Sequence, residues 1–252
     1  MRRLLGLYAV GFYAFLHLPL LALAVFSFNA SRFTVWEGFS WRWYQAAFRD
    51  AQLTEAALNS LIIAAAATAI STVVGTLCAY GLWKRGAPVL SGSLYLTLVT
   101  PEIVTGVALL AWFQFIFRYA GLQLGLHTVI AAHVSFSLAY VVIVVLARLR
   151  TLDRSLEEAA MDLGATEWGA FRQVTLPALA PGIAAAALLA FTISFDDYVI
   201  TSLVAGVDSE TLPMVIFALA RRGGNPAINA VSTLIVAGLG VLVLAAEKLR
   251  ER

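Results

Sequence analysis

The 252-residue chain is short of charge, cysteine, lysine and histidine, and each shortage excludes something. Only 13% of its residues are charged, against about 25% in an average soluble domain. That leaves too little polar surface to clothe a water-soluble core. The single cysteine, Cys78, has no partner in the chain, which excludes an intramolecular disulfide and argues against a Cys-ligated metal site. The only lysines, Lys84 and Lys248, do not follow glycine-rich turns, so there is no G-x-x-x-x-G-K-[ST] phosphate loop. No G-x-S-x-G or H-E-x-x-H pattern supports hydrolytic chemistry. His17, His127 and His133 are widely spaced and read as satisfied or interfacial side chains rather than metal ligands. The 17 basic and 15 acidic residues nearly cancel, giving no reason to expect nucleic acid as a partner.

What the chain has is long uncharged runs. About 20 apolar residues cross a hydrocarbon core of roughly 30 Å. Runs of that size extend over Leu4 to Phe28, Ala56 to Trp83, Val89 to Phe117, Thr128 to Ala147, Pro181 to Leu203 and Ala227 to Ala246, giving about six transmembrane helices. Arg2-Arg3 followed by apolar residues, with Ala22-Leu23-Ala24, has the outline of a signal peptide. The uncharged run to Ala30 exceeds the roughly 7 to 15 residues of a signal core and favours a span. Thr211 to Ala220 is apolar but too short to cross, and reads as interfacial or re-entrant.

Lysine and arginine collect on one side of this topology. Arg2, Arg3, Lys84, Arg85, Arg148, Arg150, Arg154, Arg172, Lys248, Arg250 and Arg252 share one set of loops, and Arg32, Arg42, Arg49, Arg118, Arg221 and Arg222 share the other. Positive residues are retained in the cytoplasm, so both termini are expected there. Trp36, Trp41, Trp43 and Tyr44 in the longer outer loop suit a membrane interface. The economical reading is one all-α integral membrane domain over residues 1–252.

One cytoplasmic segment, residues 153–180, is polar and helix-forming. Ser155 and Glu158 have capping-box spacing, Gly164 stops the first helix, and Thr166 caps a second that runs to about Thr175 and ends at Pro177. A plain amphipathic loop lying on the bilayer is one reading of this pattern. The small residues around the bend (Ala159, Ala160, Gly164, Ala165, Gly169) suit close approach of a partner surface better than insertion into lipid.

The other informative residues are acids inside apolar runs. A rise of 1.5 Å per residue puts Glu102 about 20 Å and Asp196 about 22 Å from the cytoplasmic ends of their spans. Burying such groups costs roughly 2.5 to 3.5 kcal/mol, so they tend to be functional. No lysine or arginine lies in any predicted span to neutralise them. On a continuous fifth helix Ser194, Asp197, Tyr198 and Thr201 form a polar strip, and Phe191, Phe195 and Tyr198 an aromatic one. Carboxylates beside aromatic faces suit an alkyl ammonium. Hydrated acids at the outer interface are the competing reading for Asp196 and Asp197, and a proton relay in a secondary carrier of organic cations is another.

Glu158-Ala159-Ala160, Gly164, Leu176-Pro177 and Pro181 resemble the coupling loop of bacterial ABC-importer permease subunits. Ser31-Arg32-Phe33, Trp41-Arg42-Trp43-Tyr44, Thr100-Pro101-Glu102-Ile103, Phe195-Asp196-Asp197, Leu212-Pro213 and Asn225-Pro226-Ala227-Ile228-Asn229-Ala230 are similar to the second permease subunit of polyamine (putrescine/spermidine) importers. The resemblance implies a type I ABC-importer permease fold with cytoplasmic coupling helices, in the bacterial inner membrane. It implies no catalysis by this chain, with ATP and magnesium bound by a partner ATPase dimer. It also implies a second, homologous permease subunit as heterodimer partner and a periplasmic or extracellular polyamine-binding protein. By the same resemblance Trp43, Glu102, Ser194, Asp196 and Asp197 fall in the transport pathway, to which Tyr198 is added from the helix pattern. Glu158, Ala159, Ala160, Gly164 and Pro177 fall at the ATPase contact. One departure is Glu102, where relatives commonly carry Asp. It leaves the polyamine preferred, or another small solute, open.

Overall fold

A computed structural model describes residues 2–33, 35–222 and 226–250, with the side chains of 2, 3, 246, 247, 249 and 250 outside the description. Asn225 of the Asn225–Ala230 motif and Arg252 of the basic set therefore lie outside the described residues. The described chain is helical: α1 Arg2–Phe26, α2 Arg42–Arg49, α3 Ala51–Arg85, α4 Pro88–Val99, α5 Glu102–Ala120, α6 Leu126–Leu149, α7 Ser155–Asp162, α8 Glu167–Ala170, α9 Leu176–Asp196, α10 Val199–Val204, α11 Leu212–Arg221 and α12 Ala227–Arg250. A π-helical turn, Phe171–Thr175, joins α8 to α9. Among the described residues one isolated bridge, Asn29 to Phe39, is the only β pairing.

Six helical stretches are long and apolar enough to cross a membrane: Leu4–Phe26, Ala51–Arg85, Glu102–Ala120, Leu126–Leu149, Glu167–Asp196 and Ala227–Ala245. The count matches the hydropathy reading, but the third and fifth spans are not the continuous rods that their apolar runs suggest. The third run is broken at Thr100-Pro101, both in extended conformation, into α4 and α5. The fifth stops at Asp197, also extended, before the short α10. Its start differs too. The second helix of the polar segment does not end at Pro177 but runs on through the π-helical turn into α9. Pro177 lies in the first turn of α9, where a missing N–H is tolerated, and so does not break it.

The centre of the bundle is the packing of α3, α6 and α9. Lipid supplies no hydrophobic drive between helices, so close approach of small residues has to supply the attraction. Along α3, Ala64, Ala67, Ser71, Gly75 and Ala79 are all buried at three- and four-residue spacing, a helical stripe of small side chains. A Cβ at Gly75 would lie 2.7 Å from Val141 Cγ1 on α6, so only glycine lets these backbones approach so closely. At the end that carries α7 and α8, Ala79, Leu82, Val145, Leu149 and Leu179 close this core. At the other end, Ile63, Val129, Phe136, Ile200 and Val204 join α5 and α10 to it.

The loop between α1 and α3 is held by Asn29. Its side chain donates to the Val35 carbonyl (2.8 Å) and accepts from the Glu37 N–H (3.0 Å), while its carbonyl accepts from Trp43 Nε1 (2.8 Å). Trp36 and Trp41 are exposed, as interfacial aromatics should be, but Trp43 and Tyr44 are buried.

Candidate functional site: an acidic cavity at two helix breaks

The two breaks face one another. A cavity of about 490 Å³ is lined by Thr100, Glu102, Thr105, Phe136, Tyr140, Thr192, Asp196, Asp197, Tyr198 and their apolar neighbours. Three acids reach it and no lysine or arginine does. Glu102, Asp196 and Asp197 share one cavity, and each lies at or beside a helix break. Backbone that leaves helical geometry at membrane depth needs its polar groups satisfied locally or by water in a cavity.

The three carboxylates differ in what binds them. Asp197 is committed: its side chain is 6% exposed, and Oδ2 accepts from Thr201 N–H (2.8 Å) and Thr201 Oγ1 (2.7 Å) while lying 3.5 Å from His133 Nε2. It thereby caps the start of α10. His133, buried on α6, lies beside Asp197 alone of the three acids. Of the two readings of this histidine, satisfied or interfacial, the buried ring is the satisfied one: Nδ1 lies 2.7 Å from Ser194 Oγ and Nε2 2.9 Å from Thr201 Oγ1. Because Thr201 Oγ1 gives its one proton to Asp197, it accepts from His133 Nε2–H. Nδ1 shares a hydrogen bond with the Ser194 hydroxyl. The relay Ser194, His133, Thr201, Asp197 joins α9, α6 and α10 behind the cavity wall.

Glu102 and Asp196 are exposed, and they sit at helix ends of opposite polarity. Glu102 is in the first turn of α5, where the positive end of the macrodipole offsets part of its charge. Asp196 is the last residue of α9, where the dipole is negative and adds to it. The helix ends therefore reinforce the negative charge of Asp196 and offset that of Glu102. The aromatic surface there comes from Phe136, Tyr140 and Tyr198, with Phe217 packed 4.3 Å from Tyr198.

Three sequence expectations need correcting. Ser194, Asp197, Tyr198 and Thr201 do not form a strip on one helix, because α9 ends between them; Ser194, Asp197 and Thr201 meet through His133 instead, while Tyr198 lines the cavity. Phe191 and Phe195 do not share the acidic cavity with Tyr198: they face an apolar groove of about 450 Å³ against α2, α3 and α12. Trp43 is also outside the cavity, buried against Asn29 with the Arg42 guanidinium 4.8 Å from its ring centroid.

At the opposite end of α9, α7 and α8 form the bent pair. Gly164 turns the chain at φ +95°, a left-handed value that penalises any residue with a Cβ. Thr166 caps α8 by accepting from Gly169 N–H (3.1 Å). The expected Ser155–Glu158 capping box does not form. Asp153 accepts from Ser155 N–H (3.0 Å) in its place, and these hydrogen bonds hold the Asp153 carboxyl below its ordinary range. Glu158, Ala159 and Gly164 are exposed, Ala160 is half-buried, and Leu163 (90%) and Trp168 (62%) project outward. Glu157 instead points inward to Lys84 (2.6 Å). Burial works against ionisation of Glu157, but the hydrogen bonds from Lys84 and Thr175 outweigh it and hold the carboxyl below its ordinary range.

A helical bundle with broken spans around a polar cavity, and an exposed bent helix pair at one end, has the architecture of a membrane permease. Comparison with known proteins gives the family. Residues 71–250 match the binding-protein-dependent transport system inner membrane component, and the chain belongs to that family. It is 41% identical to the spermidine/putrescine transport system permease protein PotC of Haemophilus influenzae, over 92% of this chain and 91% of that one. It is 44% identical to the putrescine transport system permease protein PotI of Escherichia coli K12, over 91% and 84%. A chain from a bacterial ABC transporter that imports the acidic polysaccharide alginate superposes with a TM-score of 0.79 at 16% identity, covering 100% of this chain and 94% of that one. The chain is thus a multi-pass inner-membrane permease subunit with the fold of ABC importers.

Proposed function

We propose that this chain forms half of an ATP-driven import pathway for polyamines. The observation that carries the reading is the cavity in which Glu102 and Asp196 stand exposed with no basic side chain on its lining. An alkyl diammonium or triammonium matches it, since two of its ammoniums gain a carboxylate each beside an aromatic face. The relatives in PotC and PotI are named for spermidine and putrescine transport, and similarity at 37–44% over most of the chain supports the same substrate class. The alginate importer carries an anionic cargo on the same fold, so substrate is decided by the cavity and not by the architecture.

Glu102 and Asp196 are the cation ligands, and Tyr198 supplies ring surface. Asp197 and Ser194 position α10 through His133, and Trp43 fixes the outer loop. Glu158, Ala159, Ala160, Gly164 and the exposed Leu163 and Trp168 form the face that meets a cytoplasmic ATPase dimer. That dimer binds ATP and magnesium; this chain does not. Pro177 sits in the first turn of α9, just past the π-helical turn that joins it to α8, at the junction between the contact face and the span. A second, homologous permease subunit completes the pathway, a binding protein delivers the cation at the outer face, and both termini are cytoplasmic.

The test is reconstitution of the complete complex with binding protein and competition of labelled putrescine by spermidine and by uncharged or anionic solutes. Competition by polyamines alone supports the reading. Equal competition by the neutral or anionic solutes overturns it.

A further inference from the structure

Glu158 faces outward, and its neighbour Glu157 has a different task. The Glu157 side chain is 5% exposed and both its oxygens are in use. Oε2 lies 2.6 Å from Lys84 Nζ and 3.5 Å from the Tyr80 hydroxyl, and Oε1 accepts from Thr175 Oγ1. Tyr80 and Lys84 belong to the last turns of α3, and Thr175 is the last residue of the π-helical turn that feeds α9. One carboxylate thus ties α7 to two spans. A second tie lies beside it: Arg154, preceding α7, donates to the Trp83 carbonyl and holds its guanidinium 4.6 Å from the Trp83 ring centroid. Tyr80 also packs on Phe171 at 4.5 Å.

A buried carboxylate is tolerated only where partners offset its lost hydration, and an apolar side chain would anchor a passive loop at lower cost. The geometry gives the charge a mechanical use. From Leu176 to Asp196, α9 is an unbroken helix of 21 residues, about 30 Å long, so displacement of its first turn is delivered at Asp196. The weak point lies just before it. In the π-helical turn the Leu176 N–H bonds back to the Phe171 carbonyl, five residues away, and such wide turns are where helices deform. A push transmitted along α8 alone would be absorbed there. Glu157 spans that turn, reaching from α7 directly to Thr175 and to the end of α3.

We infer that Glu157 is a positioning residue that makes α3 and α9 follow the α7–α8 pair, so that work done at the contact face arrives at the acidic cavity. The inference rests on the coupling role proposed for that face. In the reconstituted complex, Glu157→Gln and Lys84→Met leave ATPase association intact, because Glu158, Leu163 and Trp168 are untouched. The amount of polyamine moved per ATP hydrolysed falls about tenfold, the order expected when a charge-assisted hydrogen bond is lost. The charge-exchanged double variant, Glu157→Lys with Lys84→Glu, recovers most of the ratio. Spin-label distances give a readout independent of the transported solute: on a Cys78→Ser background, ATP moves labels on α7 and at the end of α3 together in the wild type, but moves only the α7 label in Glu157→Gln. An unchanged transport-to-ATP ratio in both single variants overturns the inference, as does joint label movement in Glu157→Gln. A wild-type complex in which ATP moves the labels jointly without polyamine uptake contradicts the substrate reading and supports the linkage.

Discussion

Replacing Asp196 by asparagine removes one negative charge from the cavity while preserving its shape. At about 4 Å an ammonium and a carboxylate attract by about 1 kcal/mol in water and about 4 kcal/mol at the effective dielectric of a protein surface. Asp196 is exposed to the cavity, so the lower half of that range applies, and a loss of about 1–2 kcal/mol corresponds to roughly a five- to thirtyfold rise in apparent KM for a polyamine. Glu102→Gln is expected to be the weaker variant. Its charge is partly offset by the N-terminus of α5, whereas that of Asp196 is reinforced by the C-terminus of α9, each effect being about 0.3–1 kcal/mol. The assay is initial uptake by the reconstituted complex across polyamine concentrations, with ATPase co-purification as the control for assembly. Wild-type KM in both variants would refute the cation site, and a larger effect from Glu102→Gln would refute the ranking by helix polarity.

Other substitutions separate structure from transport. Asp197→Ala removes the cap of α10 and leaves His133 and Thr201 underpaired; it should cost about 2–4 kcal/mol of stability, visible as a lower melting temperature in detergent as well as lost uptake. Glycine variants should divide by what blocks them. Gly206→Ala puts a Cβ 1.8 Å from the Leu124 carbonyl oxygen and should abolish folded yield, whereas Gly106→Ala meets only the flexible end of Leu203 and should be tolerated. Glu158→Ala should leave the melting temperature unchanged and weaken ATPase co-purification, since the side chain is exposed. The Glu157 anchor has a pH signature. Its folded carboxyl titrates below the ordinary value of 4.5, so its contribution is fully present above that value and lost as pH falls through the depressed one. Hydrogen exchange of α7 should therefore be flat from pH 8 to about pH 5 in this respect and rise only in stronger acid; loss of protection near neutrality would contradict the pairing.

The number of spans was legible because it depends on run length, and the bend at Gly164 because glycine readily takes the left-handed turn that ends a helix. The helix breaks were not. An apolar run reports that a segment crosses the membrane, and says nothing about a backbone whose freed groups are satisfied by a side chain, as Asp197 does for α10. One proline, Pro101, within an otherwise apolar run does not show that α4 and α5 separate. His133 was invisible as a partner because the groups it joins, Ser194 and Thr201, are more than sixty positions away in the chain. Glu157 and Glu158 are alike in type and adjacent, yet about 100° apart on a helix, so one is buried and one exposed. The basic residue at the end of α3 that decides which turns inward, Lys84, was read only as an orientation signal.

The most direct measurement is uptake of labelled putrescine by proteoliposomes containing this chain, its permease partner, the ATPase and the binding protein, with the proton gradient collapsed by an uncoupler. Uptake that persists and requires hydrolysable ATP inside the compartment holding the α7–α8 face is the expected result. Uptake that needs no ATP and disappears with the uncoupler would show a proton-coupled carrier and contradict the account.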